Sequence, residues 1–199
     1  MRKLGILLSG RGSNFAAIAR RIESGQLNAE IAVVISNKPD APGLDTARQL
    51  GLAAVSLPSK GLEREVYDRR VIEVLRRHGV ELVILAGYMR LLSAAFVREF
   101  PLRILNVHPS LLPAFPGLDA QHQAFSYGAK VSGCTVHFVD EKLDHGPILL
   151  QRAVPVLNDD SAETLAARIL AAEHELYSEA IAIVLAGRYR VDGRRVMLL

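Results

Sequence analysis

The stretch Asn106-Val107-His108-Pro109-Ser110-Leu111-Leu112-Pro113, with Asp144 in Leu143-Asp144-His145-Gly146-Pro147, holds the residue types for chemistry at a carbonyl. Ile104 to Val107 is a short apolar run and spells a buried strand. Side chains alternate faces along a strand, so Asn106 and His108 share one face and Val107 takes the other. Pro109 lacks the N–H for the next ladder bond and closes the strand. When an amine attacks a carbonyl carbon, negative charge grows on the oxygen, and donors aimed there lower the barrier. The Asn106 amide can supply one donor. His108 can supply another, strengthened by the Asp144 carboxylate. The attacking amine must also lose a proton and the leaving nitrogen gain one, which Asp144 or His108 could carry directly or through water. An α-amino group titrates near about 8, so part of it is neutral at physiological pH and no covalent nucleophile is required. The plainer alternative is that His108 is a hydrogen-bonded structural residue at a strand end. His137, Asp140 and His145 lie close to Asp144 in sequence, but no His-x-x-x-His or Cys pair supports a metal site.

The elements that must position these groups alternate along the chain. Apolar runs at Leu4 to Leu8, Ile31 to Ile35, Ala53 to Leu57 and Leu82 to Ala86 read as strands. Between them, helical patterns cover Phe15 to Ile22, stopped by Gly25, and Leu44 to Leu50, stopped by Gly51. A long amphipathic helix runs from Glu63 to His78, its apolar side including Val66, Val71, Val74 and Leu75. Ser93 caps a helix to Phe100. Such alternation predicts an α/β fold, doubly wound and Rossmann-like, with a mostly parallel sheet flanked by helices. Ligands of these sheets bind beyond the carboxyl ends of the strands. Gly10 to Asn14, Gly87 to Leu92 and Asn106 to Ser110 all follow strand ends and are expected to converge on one crevice. Beyond Gly128 the pattern changes. Val131 to Val139 and Ile148 to Val156 are longer strands, read as an antiparallel pair around the polar Asp140 to Gly146 loop. Asp160-Ser161-Ala162-Glu163 has capping character for a helix to about Ala186. Arg188 to Leu199 reads as a hairpin turning at Asp192-Gly193. No linker or repeat interrupts the 199 residues, which are expected to form a single domain.

Composition narrows the classes. The net charge of +3 is too weak for a nucleic-acid stripe, although it suits small anionic ligands. Cys134 is the only cysteine, which leaves no internal disulfide, and its apolar run makes it a small buried side chain. The opening residues break at Ser9-Gly10-Arg11, too early for a signal peptide. No run approaches the roughly 20 apolar residues of a membrane span. The expectation is a cytoplasmic protein bound neither to membrane nor to nucleic acid. The loop Ser9-Gly10-Arg11-Gly12-Ser13-Asn14 lies between a strand and a helix. Its glycines allow close backbone approach, the helix start offers free N–H groups, and Ser13 and Asn14 add donors. It lacks the third glycine of a dinucleotide loop and the Gly-Lys-Ser/Thr of a Walker loop. Ser36-Asn37-Lys38 stands where a dinucleotide site wants an acid. A monophosphate fits best, and the bland reading is a tight turn with a helix cap.

Taken together, these stretches resemble the phosphoribosylglycinamide formyltransferases of the small, folate-dependent type. The matching segments are Leu8 to Asn14, Ile35 to Lys38, Ala86 to Leu92, Asn106 to Pro113, Gly133 to Val139, Leu143 to Pro147 and Glu173 to Tyr177. The resemblance covers essentially the whole chain. It implies a formyltransferase fold over 1–199, with a nucleotide phosphate-binding half at 1–100 and a catalytic and folate-binding half at 101–199. It implies transfer of a formyl group from 10-formyltetrahydrofolate, the co-substrate, to the amine of glycinamide ribonucleotide, with no metal. Asn106, His108 and Asp144 match the family's catalytic trio. Gly12, Ser13 and Asn14 match its phosphate loop, and Glu173 matches a residue at the ribose hydroxyls. Met89, Arg90, Leu91 and Leu92 match the folate-binding segment, joined there by Asn106. Asp140 to Asp144 match a second wall of the pterin pocket. Arg64 matches a position at the folate glutamate tail. The resemblance leaves a monomer or a homodimer open. Many members carry His where this chain has Asp119 and Gln121, a departure that bears on the pH profile. Ala114 stands where Lys is frequent.

The nearest rival is formyltetrahydrofolate hydrolase, which uses similar loops with water as acceptor. Its usual N-terminal regulatory domain is not expected here, and the Gly-Ser-Asn loop and Glu173 favour a nucleotide. Methionyl-tRNA formyltransferase shares Ser-Leu-Leu-Pro, but its C-terminal tRNA-binding domain is likewise not expected. A non-catalytic nucleotide-binding protein on the same fold would tolerate loss of the trio, which is intact.

Overall fold

The computed structural model describes residues 1–199, which divide into two compact units, Met1–Asn106 and Val107–Leu199. The first unit alternates β1 (Arg2–Leu8), α1 (Ser13–Glu23), β2 (Ala29–Ser36), α2 (Pro42–Gln49), β3 (Ala54–Ser56), α3 (Arg64–Arg77), β4 (Leu82–Leu85) and α4 (Ala94–Glu99). It ends within β5 (Ile104–His108). Its strands lie in the order β3-β2-β1-β4-β5, and every neighbouring pair is parallel. Leu4 to Leu8 of β1 and all of β4 are buried. Parallel strands covered on both faces need such continuous apolar runs. The expected α/β architecture with a mostly parallel, helix-flanked sheet is borne out.

In the second unit, β6 (Val131–Phe138) and β7 (Ile148–Pro155) pair antiparallel, as expected. A hairpin of β8 (Tyr189–Asp192) and β9 (Arg195–Leu198) follows, with β9 parallel to β7. Two helices belong to this unit, α5 (Ala120–Tyr127) and α6 (Ala162–Ala186). No helix of the chain is long and apolar enough to cross a membrane.

One expectation needs correction. The buried stripe of α3 is Tyr67, Asp68, Val71, Ile72 and Leu75, whereas Val66 is exposed and Val74 only half-buried. Tyr67 is the bulkiest apolar group of the first turn, and its i+4 and i+8 partners Val71 and Leu75 fix the inward face. That rotates Val66 and Val74 toward solvent. The short helix α5 was not anticipated. Its sequence AQHQAFSY has little apolar period, and Asp119 precedes it in the left-handed region (φ 55) with no side-chain cap bond.

The start of α6 is well determined. The Ser161 hydroxyl accepts the Thr164 amide at 3.3 Å, and the Thr164 hydroxyl accepts the Ser161 amide at 2.9 Å. Beside this box, Asp160 accepts both guanidinium nitrogens of Arg168 at 2.6 and 2.8 Å and the Leu157 amide at 2.7 Å. These hydrogen bonds, Arg168 foremost, hold the Asp160 carboxyl well below the usual carboxylate range. A carboxylate with a depressed native pKa stabilises the fold fully above its unfolded value, near about 3.9, and loses that contribution as pH falls toward the native value. Asp160→Asn should therefore lower the thermal midpoint by a constant amount above about pH 5, with the gap narrowing below about pH 4. Melting curves of both proteins from pH 3 to 8 check this. A gap unchanged in acid contradicts it.

Candidate active site

β1 and β4 are neighbours in the first unit, so the segments leaving their carboxyl ends start side by side. Gly12 ends the turn after β1 at φ 67 and ψ 41, the residue before α1. A Cβ there would stand 2.9 Å from Leu8 Cδ2 in a left-handed backbone, so glycine is required. The first turn of α1, beginning at Ser13 and Asn14, carries no acidic residue. Its amides and positive dipole end suit an anion. Asn14 is buried.

This turn is tied to the segment after β4 by one hydroxyl. Ser9 Oγ donates to Asn37 Oδ1 at 2.6 Å and accepts the Met89 amide at 2.8 Å, while the Ser9 amide donates to Gly87 O at 3.0 Å. Asn37 in turn donates to Ser59 Oγ at 3.3 Å. In the segment itself, Met89 and Leu91 are exposed and Leu92 is half-buried. The Arg90 guanidinium lies 4.6 Å above the Tyr67 ring, a cation–π arrangement. Asp68 accepts the Ser93 amide at 2.6 Å, and the Ser93 hydroxyl caps α4 through Phe96 N. The expected Ser93 cap is thus present. Arg64 is exposed as the first residue of α3, one turn from Tyr67 and Asp68.

Asn106 and His108 occupy alternate positions of β5, on one face of the strand. In the second unit His108 meets Asp144, with Nδ1 3.5 Å from Oδ2 and both side chains almost wholly buried. The other ring nitrogen, Nε2, is 2.9 Å from Phe115 O. A carbonyl only accepts, so Nε2 carries a proton. Asp144 has φ 48, and its Oδ2 also accepts the Gly117 amide at 2.8 Å. The loop after β5 is stapled by Thr135, whose hydroxyl donates to Ser110 O at 2.7 Å and accepts the Leu112 amide at 3.0 Å. Gln151 adds a bond to Leu112 O at 2.9 Å. Sequence reasoning missed Phe115 O and the Gly117 amide because they are backbone groups. Thr135 and Gln151 did carry a signal, as polar residues inside apolar strands.

His137 is buried with Nδ1 2.8 Å from Phe138 O. Burial pushes its pKa down, so it is neutral at physiological pH. Asp140 accepts the Lys142 amide and contacts His145. No group of three or more His, Cys, Asp or Glu is arranged to hold a metal ion. Cys134 is fully buried, and burial, with Glu173 nearby, pushes its thiol up to about 12. Glu173 itself is buried on α6.

A family model described as formyl transferase matches residues 2–181. The phosphoribosylglycinamide formyltransferase of Escherichia coli is 41% identical over 96% of this chain and 94% of its own length. The trifunctional purine biosynthetic protein adenosine-3 of Drosophila melanogaster is 46% identical over 94% of this chain, but the chain spans only 14% of that protein. The crystal structure of glycinamide ribonucleotide transformylase 1 from Symbiobacterium toebii superposes with a TM-score of 0.97 at 50% identity, covering 100% of this chain and 94% of that one. The chain belongs to the formyl transferase family, among its phosphoribosylglycinamide formyltransferases.

Removing the Ser9 hydroxyl would leave the buried Asn37 Oδ1 and the Met89 amide short of a partner. Ser9→Ala is expected to cost about 2 kcal/mol, the size of one or two unsatisfied buried groups. Urea denaturation checks this. A change below about 0.5 kcal/mol would show that water or relaxation replaces both bonds.

Proposed function

We propose that this chain transfers the formyl group of 10-formyltetrahydrofolate to the amine of glycinamide ribonucleotide, giving formylglycinamide ribonucleotide and tetrahydrofolate in purine biosynthesis. The observation that carries the reading is the buried His108–Asp144 pair, with His108 two residues after Asn106 on β5, in a chain of the phosphoribosylglycinamide formyltransferases. The amine nitrogen attacks the formyl carbon and loses a proton, and the bond to the folate nitrogen breaks as that nitrogen takes up a proton, the transfer running through Asp144 or His108 or through water. Asn106 and His108 stabilise the oxyanion, and Asp144 assists proton transfer. In the structure the His108 Nε2 proton is given to Phe115 O. In the reaction the developing oxyanion takes that carbonyl's place.

In this reading Gly12, Ser13 and Asn14 hold the nucleotide phosphate at the start of α1, and Glu173 meets the ribose hydroxyls. The folate lies against Met89, Arg90, Leu91, Leu92, Asn106, Asp140 and Asp144. Arg64 faces the carboxylates of its glutamate tail. The enzyme works in the cytoplasm on small molecules, as a monomer or a homodimer.

The first experiment follows deformylation of 10-formyltetrahydrofolate by absorbance, with and without glycinamide ribonucleotide. Turnover that needs the nucleotide is expected. Equal turnover without it would make the chain a hydrolase, and none in either case would leave a binding protein. His108→Ala should lower kcat by about 10²- to 10³-fold, the effect of one lost oxyanion donor. Near-normal kcat in that variant would remove His108 from the chemistry. Asn14→Ala should raise KM for the nucleotide about tenfold with kcat nearly unchanged, as loss of a uniform binding contact does. A fall in kcat at constant KM would reassign it.

A further inference from the structure

The β8–β9 hairpin lies outside the 2–181 match, and no role above uses it. Ile148 pairs with Arg195, so β9 runs beside β7 where the 140–146 loop leads into that strand. The hairpin turn thereby delivers Arg194 to His145. The Arg194 guanidinium lies 2.8 Å from His145 Nε2 and 2.9 Å from Nδ1. His145 Nδ1 is 2.7 Å from Asp140 Oδ2. A guanidinium only donates and a carboxylate only accepts. With Nδ1–H given to Asp140, only Nε2 keeps a lone pair for Arg194, and the 2.9 Å approach to Nδ1 is contact without a hydrogen bond. Asp140 Oδ1 accepts the Lys142 amide at 2.9 Å and closes the head of the loop.

Asp144 sits inside this loop at φ 48. A non-glycine residue keeps such a conformation only where its surroundings over-determine it. Its two following residues supply that constraint. At Gly146 a Cβ would stand 1.8 Å from Phe138 O, so the backbone there lies hard against the end of β6. His145 meets Asp140 through Nδ1 and lies against the Arg194 guanidinium. Asp140 belongs to the loop itself, whereas Arg194 comes from the terminal hairpin and ties the loop to something outside it.

We infer that Arg194 is a positioning residue, reaching from the terminal hairpin to His145 and holding the 140–146 loop in the shape that presents Asp144. Its effect on turnover rests on the role proposed above for Asp144, but its hold on the loop does not. Two amides report that hold directly. Lys142 N–H donates to Asp140 Oδ1, and Gly117 N–H donates to Asp144 Oδ2 at 2.8 Å.

The test compares amide hydrogen exchange in the wild-type chain, Arg194→Ala and Arg194→Lys. Both reporter amides should exchange about three- to fivefold faster in Arg194→Ala, the scale of one exposed charge-assisted contact. Arg194→Lys should restore much of the protection, and amides within α6 should not change. In a His145→Ala background, Arg194→Ala should add nothing. Unchanged exchange at Lys142 and Gly117, or equal acceleration throughout the chain, overturns the inference whatever the turnover. In the formyl-transfer assay, Arg194→Ala should raise KM for the folate and lower kcat several-fold, leaving KM for the nucleotide alone. Faster reporter exchange with unchanged kinetics would leave the clamp standing and count against the catalytic role of Asp144.

Discussion

One carboxylate oxygen organises the second unit's part of the site. Asp144 Oδ2 receives the Gly117 amide and faces the His108 imidazole. A buried carboxylate is costly unless its oxygens are met by donors. That requirement draws three segments together: the end of β5, the turn before α5, and the loop between β6 and β7. Each segment carries a positive φ or a proline where it bends, at Pro109, Phe115, Asp119 and Asp144. The arrangement is held by bonds to its neighbours more than by local preference. Thr135 and Gln151 brace it from the sheet by satisfying the carbonyls and amides of Ser110 and Leu112.

In the first unit the constraint is topological. A β3-β2-β1-β4-β5 order places sequence-distant strand ends in adjacent rows. The turn after β1 and the segment after β4 are joined by a bond between residues 80 apart, from the Met89 amide to the Ser9 hydroxyl. Burial of this hydroxyl is tolerated because it donates once and accepts once, which uses its hydrogen and one of its lone pairs. The parallel arrangement itself follows from β1 and β4, whose apolar runs suit strands covered on both faces.

What could be read from the residues, and what could not, divides along the same physical line. The strand into His108, the shared face of Asn106 and His108, the antiparallel pair around Asp140 to Gly146 and the Ser93 cap all follow from periodicity and local chemistry. Asp144 could be named but not placed. Its geometry depends on Gly117 and Phe115, which contribute only main-chain atoms in a loop without periodic pattern. The inward face of α3 was misread at Val66 and Val74 because a valine count overlooks the larger Tyr67. The helix α5 escaped because its sequence is neither apolar on one side nor capped. The Asp140–His145–Arg194 contacts needed the β7–β9 pairing, a long-range event that no local pattern encodes.

The bond between His108 Nε2 and Phe115 O has a practical consequence. The acceptor is a peptide oxygen, so replacing the Phe115 side chain does not remove it, and the Gly117 donor is likewise a main-chain group, at a φ of 85 that favours glycine. Alanine scanning therefore deletes neither group, and at 117 it reads backbone strain instead. Chemistry that edits the main chain, such as an ester in place of the amide at position 117, can address them. Position 115 can change its side chain without losing the acceptor, whereas the left-handed backbone at 117, φ 85, holds that position to glycine.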